Sequence, residues 1–196
     1  MALNMIYKTY IFFFTLLLLA IVPGMSGGQQ EDENKAVIRE LTATTSDTHV
    51  LLFGTLRNSF TEEMIEGLHS GIPIHFSFFV ELQEKTAGQP NRTIAAFTFT
   101  HILTYDTLRE TYRVELEEDK RKNRSFTSLL EAQRALNDLN GIQVVPLSRL
   151  TSDATYSLRI RAELFNKTLP LSLHNVVPFV SWWDIKTDWQ TLTFKY

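Results

Sequence analysis

The sequence predicts a mainly β protein: an antiparallel sandwich, immunoglobulin-like in architecture, of about seven strands with two short helices. Three observations carry this. Apolar residues recur at every second position through several long segments. Turn signals separate those segments at hairpin spacing. The two helix-like stretches follow no strand–helix–strand rhythm, which argues against a parallel sheet.

Residues 1–28 stand apart. Lys8 is the only charged side chain before Glu31, and residues 10–22 (YIFFFTLLLLAIV) carry no charge. A cationic start, an apolar run and a small-residue exit through Gly24, Ser26 and Gly28 predict a secretory signal peptide. The same run, extended through Met5, Ile6 and Tyr7, also suits an uncleaved membrane anchor, with Lys8 reaching back to the interface. Either way the expectation is an exported, extracytoplasmic protein, free after cleavage or attached to a membrane. Residues 29–35 form a polar lead-in, and residues 36–196 are expected to fold as one sandwich domain.

The elements follow in order. Residues 36–43 and 48–57 read as two strands joined by a turn at Ser46-Asp47. Thr61 can cap a helix with Glu62 and Glu63 in its first turn, and Phe60 and Ile65 have staple spacing. Gly71 and Pro73 stop that helix. Ile74, Phe76, Phe78, Val80 and Leu82 alternate with polar neighbours, the clearest strand of the chain. After the loop 85–91, Ala95, Phe97, Phe99, His101, Leu103 and Tyr105 line one face of a second long strand. Asp106 and Thr107 turn it into a return strand carrying Tyr112, Val114 and Leu116. The charged run 117–125 reads as a solvated loop. Phe126, Leu129, Leu130, Gln133, Leu136 and Leu139 are spaced as a helix face, with Gly141 as its stop. Tyr156, Leu158, Ile160, Ala162 and Leu164 alternate as another strand. Residues 169–181, broken by Pro170 and Pro178, read as an irregular apolar segment, and residues 189–196 as a last strand.

Composition removes whole classes of function. The chain has 196 residues, no cysteine and a net charge of −3. Without cysteine there is no disulfide scaffold, thiolate zinc site or cysteine nucleophile. A weakly acidic chain lacks the electrostatic footprint of a nucleic-acid binder. His49, His69, His75, His101 and His174 include no HxH or HxxxH pair, and no phosphate loop, GxSxG or kinase signature is present. No metal and no cofactor are therefore expected.

Some residues remain as candidates. His101 falls on an apolar face, either as a buried base or as a satisfied core histidine. Asp184 and Asp188 have the spacing of a cation pair, although Lys186 between them favours a solvated loop. Arg159, Arg161 and Glu163 share the polar face of one strand, and two arginines about 7 Å apart suit a carboxylate or phosphate. Cross-strand pairing on an open sheet face is the alternative. Trp182, Trp183 and Trp189, with Phe179, suit an aromatic platform for glycan or peptide, or a plug at the end of the core. Asn91, Asn123 and Asn166 open N-x-S/T triplets that matter only in a eukaryotic secretory pathway.

The order of these segments resembles a bacterial family known as domain of unknown function (DUF) 4390. Residues 60–82 (FTEEMIEGLHSGIPIHFSFFVEL) are similar to its helix, Gly-hydrophobic-Pro step and aromatic strand. Residues 102–116, with Tyr105, Leu108 and Tyr112, are similar to its central hairpin. Residues 125–139, 156–164 and 169–173, with the terminal tryptophan strand, follow in the same order. The resemblance implies an exported or membrane-attached protein of the Gram-negative envelope, with a hint of envelope signalling. It implies no catalytic residues. Two functions follow as expectations: a non-enzymatic module that binds an envelope protein, peptide or lipid, or a hydrolase whose site gathers distant residues.

Overall fold

The computed structural model describes residues 35–86, 88, 90–119, 124–164 and 185–196, all within the compact unit Asn34–Tyr196. Strands β1 (Val37–Thr45) and β2 (His49–Arg57) form the first hairpin. The Ser46 hydroxyl closes its turn, accepting from the backbone N–H groups of Thr48 and His49 at 3.3 and 3.0 Å. Helix α1 (Glu62–His69) starts on Thr61, whose hydroxyl accepts from the Met64 N–H. It ends as the sequence predicts: Gly71 takes φ +89°, Ile72 N–H donates to Gly67 O at 2.9 Å, and Gly71 N–H donates to Leu68 O at 3.0 Å.

Two long strands then form the centre of the molecule, β3 (Ile74–Lys85) and β4 (Arg92–Asp106). Phe76, Phe78, Val80 and Leu82 are buried, as the alternation requires. Pairing slips by one residue where Leu82 faces Ala95 but Gln83 faces Thr93. Ile94 is the extra residue and is buried there, an addition to the predicted face. Strand β5 (Thr111–Leu116) returns beside β4, and the three-residue β6 (Arg124–Phe126) pairs on its outside. Part of the run read as a solvated loop is thus an edge strand.

The expected second helix is shorter than its apolar spacing suggests. Helix α2 (Leu129–Asn137) buries Ala132 and Leu136, and leaves Leu130 exposed. Strand β7 (Asp138–Pro146) begins immediately, so Leu139 is a buried strand residue. Gly141 does not cap the helix. It sits at φ +74° in β7 as the unpaired residue of a bulge, between Asn140 facing Phe53 and Ile142 facing Leu52. A second slip in β7 breaks its alternation again, which hid this strand from a period-two reading. Strands β8 (Thr155–Leu164) and β9 (Gln190–Lys195) complete nine strands among the described residues.

The strands make two antiparallel sheets, β1-β2-β7 and β6-β5-β4-β3-β8-β9. The two form a sandwich around one apolar core of Ile38, Leu52, Leu56, Phe76, Phe78 and Tyr156, among others. β1 lies against β9, and α2 packs on β4 and β5. No described helix is long and apolar enough to cross a membrane.

Residues 165–184 lie outside the described part, but their two attachment points are fixed. Leu164 N–H donates to Ile185 O at 2.8 Å, and Thr187 N–H donates to Ala162 O at 2.9 Å. The Thr187 hydroxyl accepts from Ala162 N–H at 2.9 Å, so chain departure and return are stitched together.

Candidate functional site

The outer face of the six-stranded sheet gathers the predicted arginines into a ladder. Alternation along β8 sends Tyr156, Leu158, Ile160 and Ala162 into the core and Arg159 and Arg161 outward. The antiparallel register sets Arg159 opposite Glu81 and Arg161 opposite Phe79 on β3. Arg159 donates through Nε and a terminal nitrogen to one Glu81 carboxylate oxygen, at 3.0 and 2.6 Å. Its guanidinium carbon lies 4.6 Å from the Trp189 ring centroid. Arg161 lies 4.8 Å from the same ring and 4.8 Å from the Phe79 ring. Trp189, immediately before β9, is thus held by two cations.

Glu163 anchors the other end. Its carboxylate is 3.1 Å from Arg161 and 2.9 Å from Lys186, close enough for ion pairs but without hydrogen-bond alignment. The buried Nε of Arg161 has no hydrogen-bond partner among the described residues. The cluster Arg159, Arg161, Lys186, Glu81 and Glu163 carries one excess positive charge, and its side chains keep about a quarter to a half of their surface in solvent. Both arginines already hold a carboxylate, so an incoming anion must compete with Glu81 and Glu163. The face is cationic and aromatic with its guanidinium groups already paired, rather than an empty anion cradle. Sequence reasoning found Arg159, Arg161 and Trp189 but did not join them. It missed the roles of Phe79, Glu81 and Lys186, which only strand register supplies.

His101 is a satisfied core residue. Its ring is fully buried, 4.7 Å from Phe78 and 5.4 Å from Phe99. Nδ1 lies 2.6 Å from Leu136 O at the end of α2, and Nε2 lies 2.9 Å from a Glu118 carboxylate oxygen. A carbonyl only accepts, so Nδ1 donates to Leu136 O, and Nε2 faces the Glu118 carboxylate. With both nitrogens occupied and no solvent contact, His101 cannot serve a substrate. It ties β4, α2 and the chain after β5 together.

The remaining candidates separate. Trp182, Trp183, Phe179, Asp184 and His174 lie outside the described residues, as do Asn123 and Asn166. The Asp188 carboxylate holds Lys35 Nζ at 2.8 Å. His69 bonds the Tyr112 hydroxyl at 2.7 Å and stacks edge-on against Tyr105. Burial, and then the neighbouring Tyr105, push the Tyr112 hydroxyl above its usual pKa. Among the described residues no three His, Asp or Glu side chains gather as metal ligands.

No curated protein and no solved structure matches this chain. A family model described as Domain of unknown function (DUF4390) matches residues 33–193, almost the whole of the compact unit and all of its strands but the last two residues of β9. The chain belongs to the DUF4390 family.

Proposed function

We propose that the protein is an extracytoplasmic envelope module that works by binding a protein or peptide rather than by catalysis. Residues 1–28 deliver it, as a cleaved signal or as an inner-membrane anchor. The observation that carries the binding reading is the ladder of Arg159, Arg161, Phe79 and Trp189. Arginine and tryptophan, here partly exposed, are residue types that dominate binding energy at interfaces. Here Glu81 and Glu163 hold the guanidinium groups in place, so little side-chain freedom is lost on contact.

The test is photo-crosslinking in cells from a photoreactive residue at Thr191, which faces Arg159 across β8 and β9. One discrete adduct is expected, lost in Trp189→Ala and in Arg161→Gln while both variants still unfold cooperatively. An adduct that survives both substitutions overturns the ladder as the contact surface. A turnover abolished by one polar substitution overturns the non-enzymatic part. Export is checked separately by fusing residues 1–28 to a reporter active only outside the cytoplasm, and an inactive reporter sinks that part.

A further inference from the structure

We infer that the ladder belongs to a basic track across β3, β8 and β9 that takes an extended acidic segment of a partner protein. The inference rests on the binding reading of the ladder and names the chemistry of what binds there. Strand register sets the track out in rows. Lys186 meets Glu163 in the first, and Arg161 and Arg159 hold the next two. In the fourth, Ser157 lies between Gln83 and Thr193, all uncharged. In the fifth, Thr155 lies between Lys85 and Lys195. Lys85 reaches the Thr193 hydroxyl at 3.4 Å, so it lies on this face. Neighbouring rows are two residues apart, about 7 Å, and the track runs for about 27 Å.

Its charge points to an acidic occupant. The five cations stand against Glu81, Glu163 and Asp153, an excess of two positive charges in a chain that carries −3 overall. Nearby Asp188 is neutralised by Lys35. The adjoining strand adds no repulsion, because Ala96, Thr98, Thr100, Ile102 and Thr104 are the β4 positions on this face. Donors also outnumber acceptors. Arg159 directs two N–H groups to a single Glu81 oxygen. Arg161 and Lys186 approach Glu163 without an aligned hydrogen bond. Lys186 and Lys195 keep 56% and 64% of their side-chain surface in solvent.

Spacing selects an extended chain. A small free anion must displace Glu81 or Glu163, whereas a chain also reaches the exposed lysines at both ends of the track. Alternate side chains of an extended segment recur every 7 Å or so, the spacing of the rows. About nine residues span the track, with acids at positions one, three, five and nine over the charged rows. A bilayer fits less well. The Phe79 and Trp189 rings lie against guanidinium groups. The exposed large apolar side chains that are described lie elsewhere: Leu108 on the β4–β5 turn beyond the start of β3, Leu130 on α2, and Tyr196 on the Phe194 side of β9.

The test uses the full chain in a neutral detergent and dye-labelled nonapeptides, read by fluorescence anisotropy. Glu-Thr-Glu-Thr-Glu-Thr-Thr-Thr-Glu should bind, and its Gln and Lys counterparts should not. The same composition with its four acids adjacent should bind about threefold more weakly or worse. Lys85→Gln, Lys186→Gln and Lys195→Gln should each weaken binding roughly two- to fivefold. Lys186→Glu combined with Lys195→Glu should lose the Glu peptide and take up the Lys peptide, which a merely structural role could not produce. Equal binding of the Glu and Gln peptides overturns the acidic chemistry, and equal binding of the alternating and clustered peptides overturns the extended register. Binding to phosphatidylglycerol vesicles that the triple Lys→Gln variant loses, without peptide binding, assigns the track to a membrane and overturns the inference too. If no peptide binds while the Thr191 crosslink still forms, the ladder stands as a contact surface and the acidic occupant is refuted. A missing Thr191 adduct refutes the underlying reading, and the inference falls with it.

Discussion

Phe78→Ala is expected to destabilise the domain by about 3–5 kcal/mol, a large part of a typical folding free energy. Phe78 is fully buried at the middle of β3, where both neighbours are paired strands. Its ring stacks on Phe99 at 5.0 Å with an interplanar angle of 13°, and it touches the His101 ring on the same face. Truncation opens a cavity bounded by two strands that cannot close on it without losing their own register. At about 2–4 °C per kcal/mol for a domain of this size, the melting temperature should fall by roughly 10 °C. Thr98→Ala, at an exposed position on β4, should leave it nearly unchanged. Equal shifts for the two would refute the facing of the central strands.

His101→Leu is expected to cost about as much, for a different reason. The substitution fills most of the volume but leaves the Leu136 carbonyl and a Glu118 carboxylate oxygen without a partner. The buried carbonyl left orphaned costs about 1–3 kcal/mol, and the Glu118 carboxylate, which keeps about 21% of its surface in solvent, adds a smaller loss. Glu118→Gln alone should cost less, because an amide can still meet Nε2. The double variant should lose much less than the two single losses added together, since the pair acts as a unit. Thermal unfolding of the four proteins gives the coupling, and simple additivity would remove the pair as a tie between β4 and the segment after β5.

The central hairpin was legible because burial is one-sided and the period is two: Ile74 to Leu82 needed nothing beyond their own order. The cap at Thr61 and the stop at Gly71 were equally local, since each is a short-range hydrogen-bond pattern written in a few residues. Gly141 shows the limit. A left-handed glycine after an apolar stretch fits a helix stop or a strand bulge, and only its pairing opposite Phe53 and Leu52 decides between them. The ladder illustrates the same boundary in three dimensions. The outward direction of Arg159 and Arg161 followed from alternation, but Glu81 and Phe79 are far away in sequence and became neighbours through a register that no local pattern encodes. Leu108 stood in the sequence as part of a resembling hairpin, and its exposure emerged only when β4 was seen to outrun β3.

The stitch between Leu164 and Ile185 holds the two ends of a twenty-residue insertion together. The strand pairing closes on Ala162, Leu164, Ile185 and Thr187 themselves, so the two junctions are held by hydrogen bonds on either side of the insertion. Doubling the length of such an insertion adds only about 0.6 kcal/mol of closure entropy. A longer segment grafted between Leu164 and Ile185 therefore meets two ends that are already held together, and its length adds little to the cost of closing it.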